Sequence, residues 1–122
     1  MEKHVIIVAG GVGKRIQSEI PKEFLNVAGR PILMHTFESL INYSKELQIT
    51  LVLPDQFIDF WKSLCKRFDF EVDHTFVKGG NTRFDSVING LKEIENGGLV
   101  AIHDGVRPLV SKETLNRIFK KA

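Results

Sequence analysis

Four short apolar runs, VIIVAGG (5–11), ITLVLP (49–54), HTFV (74–77) and LVAIHD (99–104), recur along this chain with helical stretches between them. That alternation limits the fold more than any other feature. Runs of this kind, rich in β-branched residues and without a polar face, suit strands covered on both sides. The stretches between them show helical spacing instead. Leu33, Phe37, Leu40 and Ile41 form one stripe, and Phe57, Phe60, Trp61, Leu64, Cys65 and Phe68 form the clearest one, in which Trp61 reads as a core residue. Val87, Ile88, Leu91 and Ile94 predict a third helix that stops at Gly97 and Gly98, and SKETLNRIFKK opens a fourth, capped by Ser111. Pro31 is placed to be a first helical residue and Asp55 to cap the helix after it. Strand and helix alternating throughout predict an α/β fold: a Rossmann-like, mostly parallel sheet with right-handed crossovers and helices on both faces.

At 122 residues there is room for one domain with one modest core. The net charge is only +2, so no overall field directs the chain to nucleic acid or a membrane surface, and neither is expected as a partner. No apolar run approaches the ~20 residues that a membrane span needs. The single cysteine, Cys65, cannot build a disulfide framework and suits a reducing compartment. It lies on the apolar stripe of its helix and reads as a buried structural thiol. The first apolar run lacks a cleavage-site pattern after it, so a cytoplasmic location is expected.

In open parallel sheets, ligands sit outside the carboxyl ends of the strands. GGVGKR (10–15), GGNTR (79–83) and HDGVRP (103–108) each follow an expected strand directly, and all three should converge on one edge of the sheet. After the first strand come Gly10, Gly11 and Gly13, then cations at Lys14, Arg15 and Lys22. Glycine N–H groups can wrap a polyphosphate without Cβ clashes. Arg15 offers a planar fork for phosphate oxygens and Lys22 a compact point charge. The first glycine of a Walker A loop would fall at Val8, and Arg15 stands where that loop needs Ser or Thr. A dinucleotide fingerprint begun at Gly11 fails at Ile16, which leaves a nicotinamide-dependent dehydrogenase without its motif. Asp104 ends a buried strand, a good position from which to ligate Mg²⁺ through oxygen. The histidines, at 4, 35, 74 and 103, show no metal-ligand spacing.

With these residues in view, AGGVGKR…PKEFLNVAGRPILMHTFE resembles the opening signature of the sugar-phosphate nucleotidyltransferases. KGGNTRFDSVINGL and IHDGVRP resemble two further motifs of one branch, the 2-C-methyl-D-erythritol 4-phosphate cytidylyltransferases. The three blocks follow in order through most of the chain. The resemblance implies a nucleotidyltransferase-type fold and transfer of CMP from CTP to 2-C-methyl-D-erythritol 4-phosphate, releasing pyrophosphate with the help of Mg²⁺, in non-mevalonate isoprenoid precursor synthesis. Ribitol-5-phosphate cytidylyltransferases share much of the pattern and remain an alternative, as does a nucleotide-binding module without catalysis.

The same resemblance assigns roles. Arg15 and Lys22 would stabilise the transition state, Gly10, Gly11, Gly13 and Lys14 would line the triphosphate turn, and Ala9 would sit beside the base. Gly80 and Ser86 would read the cytosine edge, with Asn81 and Arg83 nearby; relatives often carry an acidic residue where Asn81 stands. Asp104 would ligate Mg²⁺, and Gly105 would follow it in the nucleotide-contacting turn. Alanine is usual at that place in the family, so glycine is expected to loosen the turn. Arg107, ahead of Pro108, would hold its loop. On this reading residues 1–122 are the nucleotide-binding part of a single nucleotidyltransferase domain, truncated at its C-terminal end, inactive alone and homodimeric when full length.

Overall fold

The computed structural model describes residues 3–9, 21–94 and 99–105. Along them come β1 (Lys3–Val8), β2 (Asn26–Val27), β3 (Arg30–Pro31), α1 (Ile32–Tyr43), β4 (Gln48–Leu53), α2 (Asp55–Arg67), β5 (Thr75–Lys78), α3 (Arg83–Leu91) and β6 (Leu99–Asp104). The four apolar runs pair as one parallel sheet in the order β5–β4–β1–β6. β1 is central because its residues are apolar on both faces. Val8 stands opposite Val52 on one side and Asp104 on the other, so the carboxyl ends of three strands lie level. Successive strands spread from β1 through β4 to β5, and then β6 returns to the far side of β1. The order reverses between β1 and β6, which is where such sheets open a crevice for ligands.

Helices cover both faces, as the alternation predicts. Val5, Ile7, Ile49, Leu51, Leu53 and Ala101 share a core with Leu33, Phe37 and Leu40 of α1 and Trp61 and Leu64 of α2. Ile6, Val8, Val52 and Val77 form the other face, against which Val87 of α3 packs. Gly90 permits that second packing: a Cβ there would come within 2.9 Å of Ile6 Cγ2 and 3.1 Å of Val52 Cγ2.

Element ends differ from expectation in ways that local chemistry explains. α1 and α2 are each entered through an extended proline, Pro31 (ψ 143°) and Pro54 (ψ 142°), so Pro31 precedes its helix by one residue. Asp55 is the first residue of α2 and makes no capping hydrogen bond. Its carboxylate still complements the positive helix end. α3 has a side-chain cap, the Thr82 hydroxyl accepting from the Asp85 N–H at 3.0 Å. It ends at Leu91, short of the expected stop, and Ile94 packs against the α3-side core from the turn beyond. Gly97, Gly98 and the expected helix from Ser111 lie outside the described residues. β2 and β3 form a two-residue hairpin turning at Ala28 and Gly29, both at positive φ.

Trp61 is fully buried, as its spacing predicts, at the centre of an aromatic cluster. It stacks on Phe24 at 6.1 Å and Phe37 at 5.9 Å and meets Phe70 edge-on. Its indole N–H donates to His74 Nε2 at 3.0 Å, and His74 Nδ1 lies 2.7 Å from the Val72 carbonyl. That pairing requires a neutral ring with its proton on Nδ1. Burial holds the His74 pKa below the ordinary 6.5, opposed by the Val72 carbonyl and then by Asp73. A depressed histidine contributes its full stability above the unfolded value and loses it as pH falls toward the folded one. Urea unfolding should therefore show stability dropping below about pH 6.5, with a shallower drop in His74→Phe, which cannot titrate. Equal pH dependence in the two proteins would count against this role for His74. Cys65 is half-buried rather than buried, and burial pushes its thiol up to about 11, so it is protonated at neutral pH.

Candidate functional site

Three loops leave the carboxyl edge of the sheet at one level. Ala9 N–H donates to the Val52 carbonyl at 2.9 Å, Gly105 N–H to Val8 at 3.0 Å, and Gly79 N–H to Leu53 at 2.9 Å. The ladder thus continues one residue past β1, β5 and β6, and the expected convergence is present for the parts described. Gly10, Gly11, Gly13, Lys14, Arg15 and Arg107 lie outside the described residues.

Lys22 is exposed on a single 3-10 turn, Lys22–Phe24. The turn is fixed from beneath. Phe24 is buried against Phe57 at 5.8 Å, Phe60 at 5.3 Å and Trp61 at 6.1 Å, so one aromatic side chain ties the lysine to α2. Glu23 is also buried, and its Cγ would lie 3.0 Å from a Cβ placed on Gly105. Lys22 therefore rides on a turn packed against the residue that follows Asp104.

Gly105 itself is buried, with Ala9 Cβ at 3.0 Å and Leu33 Cδ1 at 3.1 Å from that same Cβ position. Its carbonyl accepts from the Thr36 hydroxyl of α1 at 2.9 Å. The glycine gives close approach rather than the expected slack, because the turn is clamped by its neighbours. Sequence reasoning missed both Thr36 and Glu23. Thr36 did leave a signal, since it is a polar residue inside the buried face of α1 beside Leu33 and Phe37.

On the other side of the crevice, Gly80 N–H donates to Ser86 Oγ at 3.0 Å, and Ser86 is fully buried. A Cβ on Gly80 would fall 2.5 Å from Asp85 Cβ, so only glycine fits against the start of α3. Ser86 thus holds the loop in shape, and its hydroxyl proton is still available to a second acceptor. Asn81 is exposed at the loop tip. Arg83, in the first turn of α3, reaches across to Asp104 at the end of β6, Nη2 donating to Oδ1 at 3.3 Å. Among the described residues no three His, Cys, Asp or Glu side chains gather as a metal cluster. The described edge therefore offers the exposed cations Lys22 and Arg83, the partly exposed carboxylate of Asp104 with the buried Glu23 close by, and two glycine-lined turns, a set suited to an anionic ligand.

Comparison with known proteins bears on the sequence and the fold. The family model described as IspD, 2-C-methyl-D-erythritol 4-phosphate cytidylyltransferase, matches residues 3–122. A curated relative of that description from Bacteroides thetaiotaomicron is 52% identical over 122 residues, covering 100% of this chain and 56% of its own length. One from Clostridium botulinum is 42% identical, covering 94% of this chain and 51% of its own. The crystal structure of 4-diphosphocytidyl-2C-methyl-D-erythritol synthase from Anaerococcus prevotii superposes with a TM-score of 0.77 at 29% identity, over 98% of this chain and 50% of that one. The bifunctional IspDF from Campylobacter jejuni gives a TM-score of 0.77 at 25% identity, over 99% of this chain and 30% of that one. The chain spans about half the length of the curated relatives it matches.

Proposed function

We propose, from the premise that the chain belongs to the 2-C-methyl-D-erythritol 4-phosphate cytidylyltransferase family, that its residues form the CTP-binding part of an enzyme that transfers CMP to 2-C-methyl-D-erythritol 4-phosphate. The observation that carries this is that the Lys22–Phe24 turn packs through Glu23 against Gly105, the residue after Asp104, while Arg83, from the loop that Ser86 and Gly80 hold, reaches Asp104 itself.

In the reaction a phosphate oxygen of the acceptor attacks the α-phosphorus of CTP. The bond from that phosphorus to the bridging oxygen breaks, and its electrons leave with pyrophosphate. The nucleophile is already anionic at neutral pH, so no general base is needed. What the site must supply is positive charge around the α-phosphate and the departing group. Lys22 supplies one fixed charge, and Arg15, by resemblance, a second. Gly10, Gly11, Gly13 and Lys14 complete the triphosphate turn on the same reading, with Ala9 at its base. Gly80, its N–H held by Ser86, presents its carbonyl to the cytosine edge, and Asn81 stands close by for the ribose.

Asp104 is a hard oxygen donor, partly exposed, at the carboxyl end of β6. Mg²⁺ commonly binds through one or two carboxylates plus substrate phosphates, so Asp104 fits an ion that arrives with the nucleotide. Bound there, Mg²⁺ would neutralise charge on the phosphates. The reading extends to a homodimeric, cytoplasmic full-length enzyme. Among the described residues no helix is long and apolar enough to cross a membrane.

Pyrophosphate release by the full-length protein tests the proposal. CTP should be preferred over UTP by roughly a hundredfold or more, because a base lacking the exocyclic amine leaves buried polar groups unpaired. Comparable kcat/KM for the two nucleotides would overturn the assignment of Gly80 and Ser86. Turnover with ribitol 5-phosphate but not with 2-C-methyl-D-erythritol 4-phosphate would overturn the acceptor.

A further inference from the structure

Arg83 opens α3 and Asp104 ends β6, yet the guanidinium lies 3.3 Å from the carboxylate. Each side chain starts from a fixed backbone position. Arg83 opens a helix whose first turn is pinned by the Thr82 cap and by the Ser86–Gly80 hydrogen bond. Asp104 ends a strand paired residue by residue with β1. A cation in the first turn of a helix is also disfavoured by the positive helix end, so Arg83 needs an anion opposite it. Both side chains remain partly exposed, at 55% and 39%, so the pair can separate without any movement of the backbone.

We propose that Arg83 is an internal counter-ion for Asp104. It occupies the carboxylate while the site holds no ligand, and a divalent cation displaces it and leaves the guanidinium facing the incoming phosphates. The pair thereby lessens the repulsion between the carboxylate and a triphosphate, and exchanges one cation for another as the ligand arrives. Arg83 in this role is a positioning residue acting through Asp104. An exposed pair is weak, about 1.4- to 5-fold in equilibrium terms, so displacement is easy. The inference rests on the proposed reading of Asp104 as a cation ligand.

Two binding measurements on the full-length protein test it without relying on turnover. Mn²⁺ alone is titrated by electron paramagnetic resonance, and CTP is titrated by calorimetry in the presence of a chelator. Arg83→Met should bind Mn²⁺ about two- to fivefold tighter and metal-free CTP more weakly by a similar factor. Asp104→Asn should do the reverse, losing most Mn²⁺ binding and gaining affinity for metal-free CTP. Arg83→Lys, which keeps the charge, should lie near the parent protein. Thermal melts would confirm folding, and Arg83→Gln serves as a second variant if the methionine form is unstable. A merely structural arginine would weaken both ligands together or change neither, and either result for Arg83→Met would overturn the counter-ion role. Unchanged Mn²⁺ binding in Asp104→Asn would instead overturn the metal reading of Asp104, and this proposal with it.

Discussion

Replacing Lys22 with alanine in the full-length protein is expected to lower kcat about 10²–10³-fold, the usual cost of removing one preorganised transition-state donor. The side chain is exposed, so its removal uncovers no core and should leave the melting temperature nearly unchanged. Its position is nonetheless well determined. Phe24, two residues on, is locked into the aromatic cluster, and Glu23 is packed beside Gly105. The backbone that carries the charge is thus held in place, which leaves only the side chain to be ordered when a phosphate binds. Steady-state kinetics with saturating CTP, beside a thermal melt, provide the check. Near-normal kcat in a folded variant would remove Lys22 from the transition state.

Trp61→Ala should have the largest effect on stability, a loss of about 3–5 kcal/mol, as expected for a buried tryptophan whose neighbours can only partly close the space. Three rings would lose their contact partner, Phe24, Phe37 and Phe70, and the acceptor nitrogen of His74 would lose its donor. Because Phe24 carries the Lys22 turn, the variant should also lose kcat under conditions where it is still folded. Urea unfolding of the full-length protein measures the first effect, and turnover at low temperature the second. A stability loss below about 1 kcal/mol would mean that the rings repack around the gap.

Both variants bear on how far the sequence could be read directly. The strands were legible because residues such as Val5, Ile6 and Ile7 are buried on alternating faces of a doubly covered sheet, which leaves an unbroken apolar run. Trp61 was legible from helical spacing. Gly80 and Asp104 could be picked out because each stands at or just beyond the end of such a strand. What stayed hidden depends on partners far away in the chain. Thr36 looks like an interruption of an apolar stripe until α1 is docked and its hydroxyl meets Gly105, 69 positions later. Glu23 looks like a surface acid until its turn folds over that same glycine. The Arg83–Asp104 pair requires knowing that the crossover through α3 returns the chain to the far side of β1. Asp55 was misplaced for a local reason, since Pro54 already occupied the capping position.

The central place of β1 has a consequence for biosynthesis. As the first strand it leaves the ribosome before either neighbour exists, because β4 comes from the middle of the chain and β6 from much later. Pairings this distant in sequence are slow to form. Until they do, the β-branched VIIV segment has two bare hydrogen-bonding edges and no covering helix, a combination prone to self-association. Ala9, at the end of β1, also cannot meet Gly105 until β6 docks. Nucleotide should therefore accelerate or trap only the last stage of assembly, and a nascent chain that stalls before β6 should be a chaperone client rather than a weak CTP binder.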